Sequence, residues 1–118
     1  MSWLSSPNLM TLQRFLDVQS MRQTLVSTNI ANVDTPAYHT RDVDFHGEMQ
    51  RVMNGDDTEG PSPFVVPVRG LLERPDGNNV SVEREGLLLA EVQLEYKTAT
   101  AILRSEFAEI NNAIREGA

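Results

Sequence analysis

The feature that most constrains this chain is a long run of apolar residues at helical spacing near its carboxyl end. Eight of them recur at intervals of three or four residues: Leu89, Val92, Tyr96, Ala99, Leu103, Phe107, Ile110 and Ile114. This spacing predicts one helix from about Val82 to Arg115. Such a helix of roughly 30 residues is ~45 Å long, whereas a globule of 118 residues would be roughly 35 Å across. The chain is therefore expected to be elongated.

A second row on the same predicted helix repeats every seven residues: Leu87, Leu94, Ala101 and Ala108. The row shrinks from leucine to alanine toward the carboxyl end, and small residues at heptad spacing allow another helix to approach closely. The acidic side chains of this segment are expected to face solvent: Glu91, Glu95, Glu106 and Glu109.

The amino-terminal segment predicts a helix from Asn8, as the N-cap, to about Asn32. At 100° per residue, one face holds Leu9, Leu12, Phe15, Leu16, Val26 and Ile30. A second face holds Met10, Val18, Met21 and Leu25. A narrow polar strip between them consists of Gln13, Asp17, Ser20 and Thr24. A helix in a two-layer monomer needs only one apolar stripe, so two faces indicate packing against more than one neighbour.

The middle of the chain is rich in residues that interrupt helices. Four of the six prolines and five of the seven glycines fall between residues 47 and 77. Short strands or extended arms are expected there, with Pro67 at a sheet edge or bulge and Pro75-Asp76-Gly77 as a turn between Leu71-Leu72 and Val80 to Val82. The fold class is thus mainly α, an elongated coiled-coil-like pair of terminal helices in segments 1–34 and 82–118, joined by an irregular or short-strand arm over residues 35–81.

Composition excludes several classes of function. Seventeen acidic and ten basic residues give a net charge of −7, and the only lysine is Lys97. Binding to nucleic acid or to an anionic membrane surface depends on clustered basic residues, so neither partner is expected. No window of 18 apolar residues exists for direct membrane insertion. The absence of cysteine rules out disulfides, thiolate zinc sites and a cysteine nucleophile.

Motifs for catalysis are also missing, since the sequence has neither a glycine-rich phosphate loop nor a G-x-S-x-G elbow. The densest group of potential metal ligands is His39, Asp42, Asp44, His46 and Glu48. Strand alternation would place the last four on one face. There they would either bind a hard cation such as Ca²⁺ or form a charged edge exposed to solvent. The solvated edge is favoured, so we predict no enzyme activity, catalytic residue, metal or cofactor. A small metal-dependent enzyme using His39 and His46 stays an alternative.

The end of the first helix carries the most distinctive string, from Asn29 to Phe45. Pro36 disfavours helical geometry at the preceding residue, and Asn32 and Asp34 can form caps or Asx turns. Each of these residues alone is typical of an ordinary helix end and turn. Together, Asn29-x-Ala31-Asn32-x-x-Thr35-Pro36-x-Tyr38 closely resembles the signature near the amino terminus of bacterial flagellar rod and hook proteins.

Two further runs, Arg41 to Phe45 and Asp76 to Val80, are similar to the proximal members of the flagellar basal-body rod protein family. The resemblance spans both terminal helices and these motifs and leaves roughly residues 49–70 uncovered. The main departure is Ala37, where the family usually carries glycine and where an alanine with positive φ would be strained.

The resemblance implies a structural subunit whose terminal helices form the inner layer of a helical axial assembly in the periplasm. It implies export through the flagellar type III apparatus without a cleaved signal peptide. The implied partners are other copies of the chain, other rod proteins, and the adaptor or ring proteins at the rod base. The residues expected to fix the turn are Asn29, Ala31, Asn32, Thr35, Pro36 and Tyr38. The expected assembly interface combines Leu9, Leu12, Leu16, Val26 and Ile30 with the eight-residue stripe from Leu89 to Ile114.

A different class of function remains open from the residues alone. A soluble helical-hairpin adaptor or a secretion chaperone would also bury such apolar stripes. That class predicts a closed oligomer, whereas head-to-tail contacts between subunits predict an open helical polymer.

Overall fold

The structure is a computed structural model that describes residues 7–54 and 65–117, and it is dominated by two long terminal helices. Its elements in chain order are α1 (Pro7–Ala31), β1 (Arg41–Val43), α2 (Phe45–Met53), β2 (Val65–Pro67) and α3 (Val82–Glu116). The molecule measures 67 × 27 × 18 Å. The prediction of an elongated, mainly α fold with a short-strand middle is confirmed.

The helices α1 and α3 pack side by side in antiparallel directions. Near the end of α1, Asn29 donates to Glu85 at 3.1 Å, and ten residues earlier Gln19 donates to Glu95 at 2.5 Å. The partner number rises in α3 as it falls in α1, which defines an antiparallel pair. Its small apolar core consists of Val18, Val26, Val92 and Ala99. A core of valines and alanine lets the two helix backbones approach closely.

The ends of α3 follow local capping rules. Ser81 is the N-cap, and its hydroxyl accepts a hydrogen bond from the backbone N–H of Arg84 at 3.3 Å. Acidic residues in the first turn and Arg115 in the last turn complement the helix dipole. The observed end at Glu116 lies one residue beyond the prediction. The helix α1 begins at Pro7, one residue before the predicted N-cap Asn8, in the first helical position that proline favours.

A two-stranded antiparallel sheet lies against α1. Arg41 is paired with Pro67 and Val43 with Val65, so Pro67 occupies an edge position as predicted. The sheet is fixed to α1 by Arg22, whose guanidinium donates two 3.2 Å hydrogen bonds to the carboxylate of Asp42. The predicted extended segments at Pro61 and Pro63 lie outside the described residues.

The helix α2 was not predicted, and the strand alternation expected from Asp42 to Glu48 is wrong. The strand ends at Val43, and Asp44 then caps α2 by accepting a 3.2 Å hydrogen bond from the N–H of Gly47. Phe45 packs its ring edge-on against Phe15 of α1, with 5.6 Å between the ring centroids. This contact between aromatic rings turns the chain back onto α1 and so favours a helix over a continued strand.

The acidic residues of α3 are only partly where the sequence predicts them. Glu91 and Glu109 are exposed, as expected, but Glu95 and Glu106 are half-buried. The face of α3 that packs on α1 is centred on Val92 and Ala99, which brings residues 95 and 106 to its edge. Among the helices described here, none has both the length and the hydropathy of a membrane span.

Candidate functional site

The string that follows α1 forms a tight turn at residues 35–38. The carbonyl of Thr35 accepts a hydrogen bond from the N–H of Tyr38, with Pro36 and Ala37 as the central residues. Ala37 has a φ of 63°, so the turn has the proline and the left-handed residue in the positions typical of type II. An L-residue in this conformation costs roughly 1–2 kcal/mol. The turn therefore keeps a positive φ at Ala37. A glycine at this position, which the related rod proteins usually carry, would avoid the cost in free energy.

A second turn, at residues 74–78, supports the first. Gly77 donates to the carbonyl of Arg74 at 2.9 Å, and Arg74 donates to the carbonyl of Asn78 at 2.8 Å, the pattern of a three-residue hairpin loop. Gly77 has a φ of 85°. The carbonyl of Asp76 then accepts a 2.8 Å hydrogen bond from the N–H of Ala37. We call this pair of interlocked turns, residues 35–38 and 74–78, the clasp.

The side chain of Asn78 closes the clasp onto the end of α1. It is fully buried, and its amide nitrogen donates to the carbonyls of Asn32 at 2.9 Å and Thr35 at 2.8 Å. Its amide oxygen accepts from the N–H of Val80 at 2.8 Å. The carbonyls at a helix end lack partners within the helix, so Asn78 acts as their cap from 46 residues away in sequence.

Asn79 ties the clasp to the start of the sheet. Its side-chain oxygen accepts from the N–H of Thr40 at 2.7 Å, and its own N–H donates to the carbonyl of Tyr38 at 3.3 Å. Thr40 is buried, so these bonds satisfy backbone groups that have lost water.

Asn29 connects the clasp, the sheet and both long helices. Its side-chain nitrogen donates to the carbonyl of Arg41 at 2.9 Å and to the carboxylate of Glu85 at 3.1 Å. Its side-chain oxygen accepts from the hydroxyl of Tyr38 at 2.8 Å and from the N–H of Arg41 at 3.2 Å. Both donors and both lone pairs of the amide are used, while the side chain is buried. We call Asn29 with Tyr38, Arg41 and Glu85 the Asn29 node.

The Asn29 node contains a buried carboxylate. Glu85 has no exposed surface, and its second oxygen accepts a 2.8 Å hydrogen bond from Arg84. This ion pair and the amide of Asn29 compensate a charge that would otherwise be costly to bury. Burial raises the pKa of the Tyr38 hydroxyl, Arg41 opposes that rise and Glu85 adds to it, so the hydroxyl remains a hydrogen-bond donor.

Sequence comparisons give the family to which these turns and helices belong. The chain matches no family model. It is 30% identical to the flagellar basal body rod protein FlgB of Salmonella typhimurium, with 89% of this chain and 91% of the relative covered. The chain belongs to the FlgB family. Identity to FlgB of Escherichia coli is 30% with the same coverage, and identity to FlgB of Borrelia hermsii is 31%, covering 86% of this chain and 91% of that protein.

Within this FlgB-family chain, the predicted turn residues separate into two groups. Asn29, Asn32 and Tyr38 take part in hydrogen bonds that hold the end of α1, and Asn32 also accepts a 3.0 Å bond from the hydroxyl of Thr35. Ala31 and Pro36 are exposed. Pro36 therefore acts through the backbone conformation of the turn, whereas Ala31 lies on an exposed side of α1.

The predicted interface residues also fall into different environments. Val26, Val92 and Ala99 are buried between α1 and α3. Half-buried positions are Leu9, Leu12, Leu16, Ile30, Leu89, Leu103 and Ile110, and exposed ones are Tyr96, Phe107 and Ile114. The predicted α3 stripe thus contains the internal core and one exposed flank. The second row has its leucines exposed, Leu87 by 74% and Leu94 by 67%.

Several residues of the Asn29 node and the helix pair were not selected from the sequence. Glu85 lies seven residues before Val92 and fourteen before Ala99, in register with the buried face, and this spacing was the signal that marked it as internal. Gln19 is also fully buried. Its spacing, three residues after Leu16 and seven before Val26, likewise places it on an internal face of α1. The clasp residues Asn78 and Asn79 belong to the run from Asp76 to Val80 that resembles the family, but the sequence predicted no structural role for either of them.

The side chains considered as possible metal ligands each have a different partner within the protein. His39 lies 3.1 Å from Glu73 at the surface, Asp42 binds Arg22, and Asp44 caps α2. Over residues 7–54 and 65–117, no three histidine or acidic side chains are placed to hold a metal ion. The buried side chains of Asn29, Asn78, Asn79 and Glu85 all bond within the protein, as expected of a structural joint.

The clasp yields a prediction on Gly77 with a matched control at Gly70. A Cβ at Gly77 would lie 3.2 Å from the Cα of Ala37, whereas a Cβ at Gly70 would meet no atom within 4 Å, although Gly70 has a similar φ of 81°. Gly70→Ala should lower the free energy of unfolding by about 1 kcal/mol through backbone strain alone. Gly77→Ala should lower it by a further 1–2 kcal/mol, roughly, because the clasp must open. Urea unfolding followed by circular dichroism measures both, and equal losses would show that the two turns do not press on each other.

Proposed function

We propose that this chain is a structural subunit of the proximal part of the flagellar rod. In this proposal, copies assemble helically through α1 and α3 and form part of the axial drive shaft and of the export channel. The partners are other copies, other rod proteins, adaptor or ring proteins at the rod base, and the flagellar type III export apparatus. The location is the periplasmic rod, reached without a cleaved signal peptide. Membership in the FlgB family supports the rod role.

The observation that carries the assembly step is the number of large apolar side chains that α3 leaves in water. Leu87 and Leu94 lie on one exposed side of α3, and Phe107 and Ile114 lie along the carboxyl-terminal continuation of the face that carries Val92 and Ala99, exposed by 47% and 57%. Large apolar side chains exposed on two sides of one helix are unfavourable in an isolated molecule and typical of a surface that packs on other proteins.

The outer face of α1 offers a complementary kind of surface. Ser20, Thr24, Ser27 and Ala31 recur every three or four residues, and all are exposed. Small side chains in such a row let another helix approach closely. The chain therefore presents a small-residue face on one helix and bulky apolar flanks on the other, which suits contacts between unlike surfaces of neighbouring subunits.

The assembly proposal is tested by adding one charge to an exposed flank of α3. Leu87→Asp should leave the isolated subunit folded, since the side chain is already mostly in water, but it should exclude the subunit from rods because an unpaired carboxylate would be buried there. Gln93→Asp is the control, because it adds the same charge at an exposed polar position of the same helix.

The measurement uses cells in which the variant is the only copy of the chain. Basal bodies are purified, the chain is quantified by immunoblot, and motility is scored on soft agar. We expect Leu87→Asp to be reduced at least tenfold in basal bodies and Gln93→Asp to match the unmodified chain. Normal incorporation of Leu87→Asp would show that this flank of α3 does not take part in assembly.

A further inference from the structure

The carboxyl end of α3 extends beyond its partner helix. Asn29 bonds Glu85, Gln19 bonds Glu95, and this register places Pro7, the first described residue of α1, opposite about residue 107. Residues 108–116 of α3 thus continue for ~13 Å with no described part of α1 alongside. Three apolar residues follow each other along this end: Phe107, Ile110 and Ile114. We call them the tail ridge.

An open apolar groove lies between α1 and α3, nearer the middle of α3 than the tail ridge. It has a volume of about 360 Å³, and its lining includes Leu12 and Phe15 of α1 with Leu94, Thr98 and Ile102 of α3. Water in this groove contacts mostly carbon, so its release by an apolar occupant is favourable. We call this the flank groove.

We propose that the tail ridge of one copy occupies the flank groove of a second copy. The ridge continues the α3 face that carries Val92 and Ala99, and those residues are buried because α1 packs on them. Continuity with this internal interface indicates that the ridge also packs on a helical surface. The flank groove is an apolar site between α1 and α3 with room for such side chains.

The ridge cannot reach the groove of its own molecule. Ile102 and Ile114 lie twelve residues apart on one continuous helix, a separation of ~18 Å. A tail ridge that fills a flank groove must therefore come from another copy. The two contacting surfaces differ, so a copy whose ridge fills one groove still offers its own groove to a further copy. Such a heterologous contact propagates along an open assembly. The inference rests on the proposed rod function and adds to it the surfaces that meet.

The lack of native cysteines allows a direct test by disulfide cross-linking. The double variant Thr98→Cys, Ile114→Cys places one thiol in the groove and one on the ridge. In purified basal bodies treated with copper phenanthroline, we expect a ladder of dimers, trimers and larger species that collapses on reduction. Either single variant should stay monomeric. The control pair Lys97→Cys, Ile114→Cys moves the groove thiol by one residue, to an exposed position outside the groove lining, and should give no ladder.

The outcomes separate the inference from the function on which it rests. A chain that enters basal bodies but forms no ladder, with either Thr98→Cys or Ile102→Cys as the groove partner, would overturn the inference and leave the rod function intact. Cross-linking of the Ile114→Cys single variant would show that two ridges meet, which also overturns it. Absence of the unmodified chain from basal bodies would instead refute the proposed function.

Discussion

Replacing Asn29 with alanine should lower the free energy of unfolding by about 3 kcal/mol or more. The substitution removes two donated and two accepted hydrogen bonds at once, and the groups left behind include the hydroxyl of Tyr38, the backbone of Arg41 and the carboxylate of Glu85. Each buried polar group that loses its partner costs about 1–3 kcal/mol, and a charged one costs more. Urea unfolding of the purified chain, followed by circular dichroism, measures the loss.

The variant Asn29→Asp tests whether the size of this side chain or its hydrogen bonds stabilise the protein. Aspartate is nearly the same size, but it loses the amide donor and places a carboxylate where nitrogen now lies 3.1 Å from Glu85. Two like charges at that distance repel, so the loss at neutral pH should be at least as large as for alanine.

Asn32→Ala serves as the control for Asn29, since Asn32 is half-buried and its side chain bonds to the neighbouring residues Thr28 and Thr35. We expect a loss of about 1 kcal/mol there. If Asn29→Ala were no worse than Asn32→Ala, the Asn29 node would contribute little to joining the helices to the arm.

Periodicity in the sequence was sufficient to predict both long helices. The predicted bounds of α3 are within one residue of the observed Val82–Glu116, because the apolar stripe over seven turns and the Ser81 cap at the start of the helix act locally. The face that the stripe buries was harder to predict. The sequence offers two candidate rows along α3, and only contact with α1 selects the one that contains Val92 and Ala99.

The clasp and the Asn29 node depend on contacts that no local pattern encodes. Asn29 and Glu85 are 56 residues apart, and a hydrogen bond between them follows only from the antiparallel register of the helices. The left-handed conformation of Ala37 is similarly imposed from outside, by its bond to Asp76 and its contact with Gly77. Sequence reasoning identified Ala37 as a position of strain, and the structure shows which contacts hold that strain in place.

The short helix α2 shows a different limit of sequence reasoning. The alternating polar residues Asp42, Asp44, His46 and Glu48 fit a strand equally well, and the nine residues of α2 give too few turns for a periodicity to stand out. The deciding interactions are the cap at Asp44 and the packing of Phe45 on Phe15. The first was readable as a capping signal, whereas the second requires the position of α1.

The largest effect on the helix pair is expected from Val92→Asp. Val92 is fully buried at the centre of the α1–α3 contact, and an unpaired carboxylate in such a site costs several kcal/mol or must be protonated. Because the core of the pair consists of a few small side chains, it has little other apolar burial to offset that cost. We expect the purified variant to lose its cooperative urea transition, with fast amide exchange along both long helices.

Leu87→Asp is the matched control for Val92→Asp, since it adds the same charge to the same helix one and a half turns away, at a position that is 74% exposed. It should unfold within about 0.5 kcal/mol of the unmodified chain. The pair of variants thus separates the two roles of α3, because one face holds the subunit together while the flank remains available to a neighbour. Should Val92→Asp keep a normal transition, α1 and α3 would not be joined through this face in solution, and the antiparallel pair would form only within an assembly.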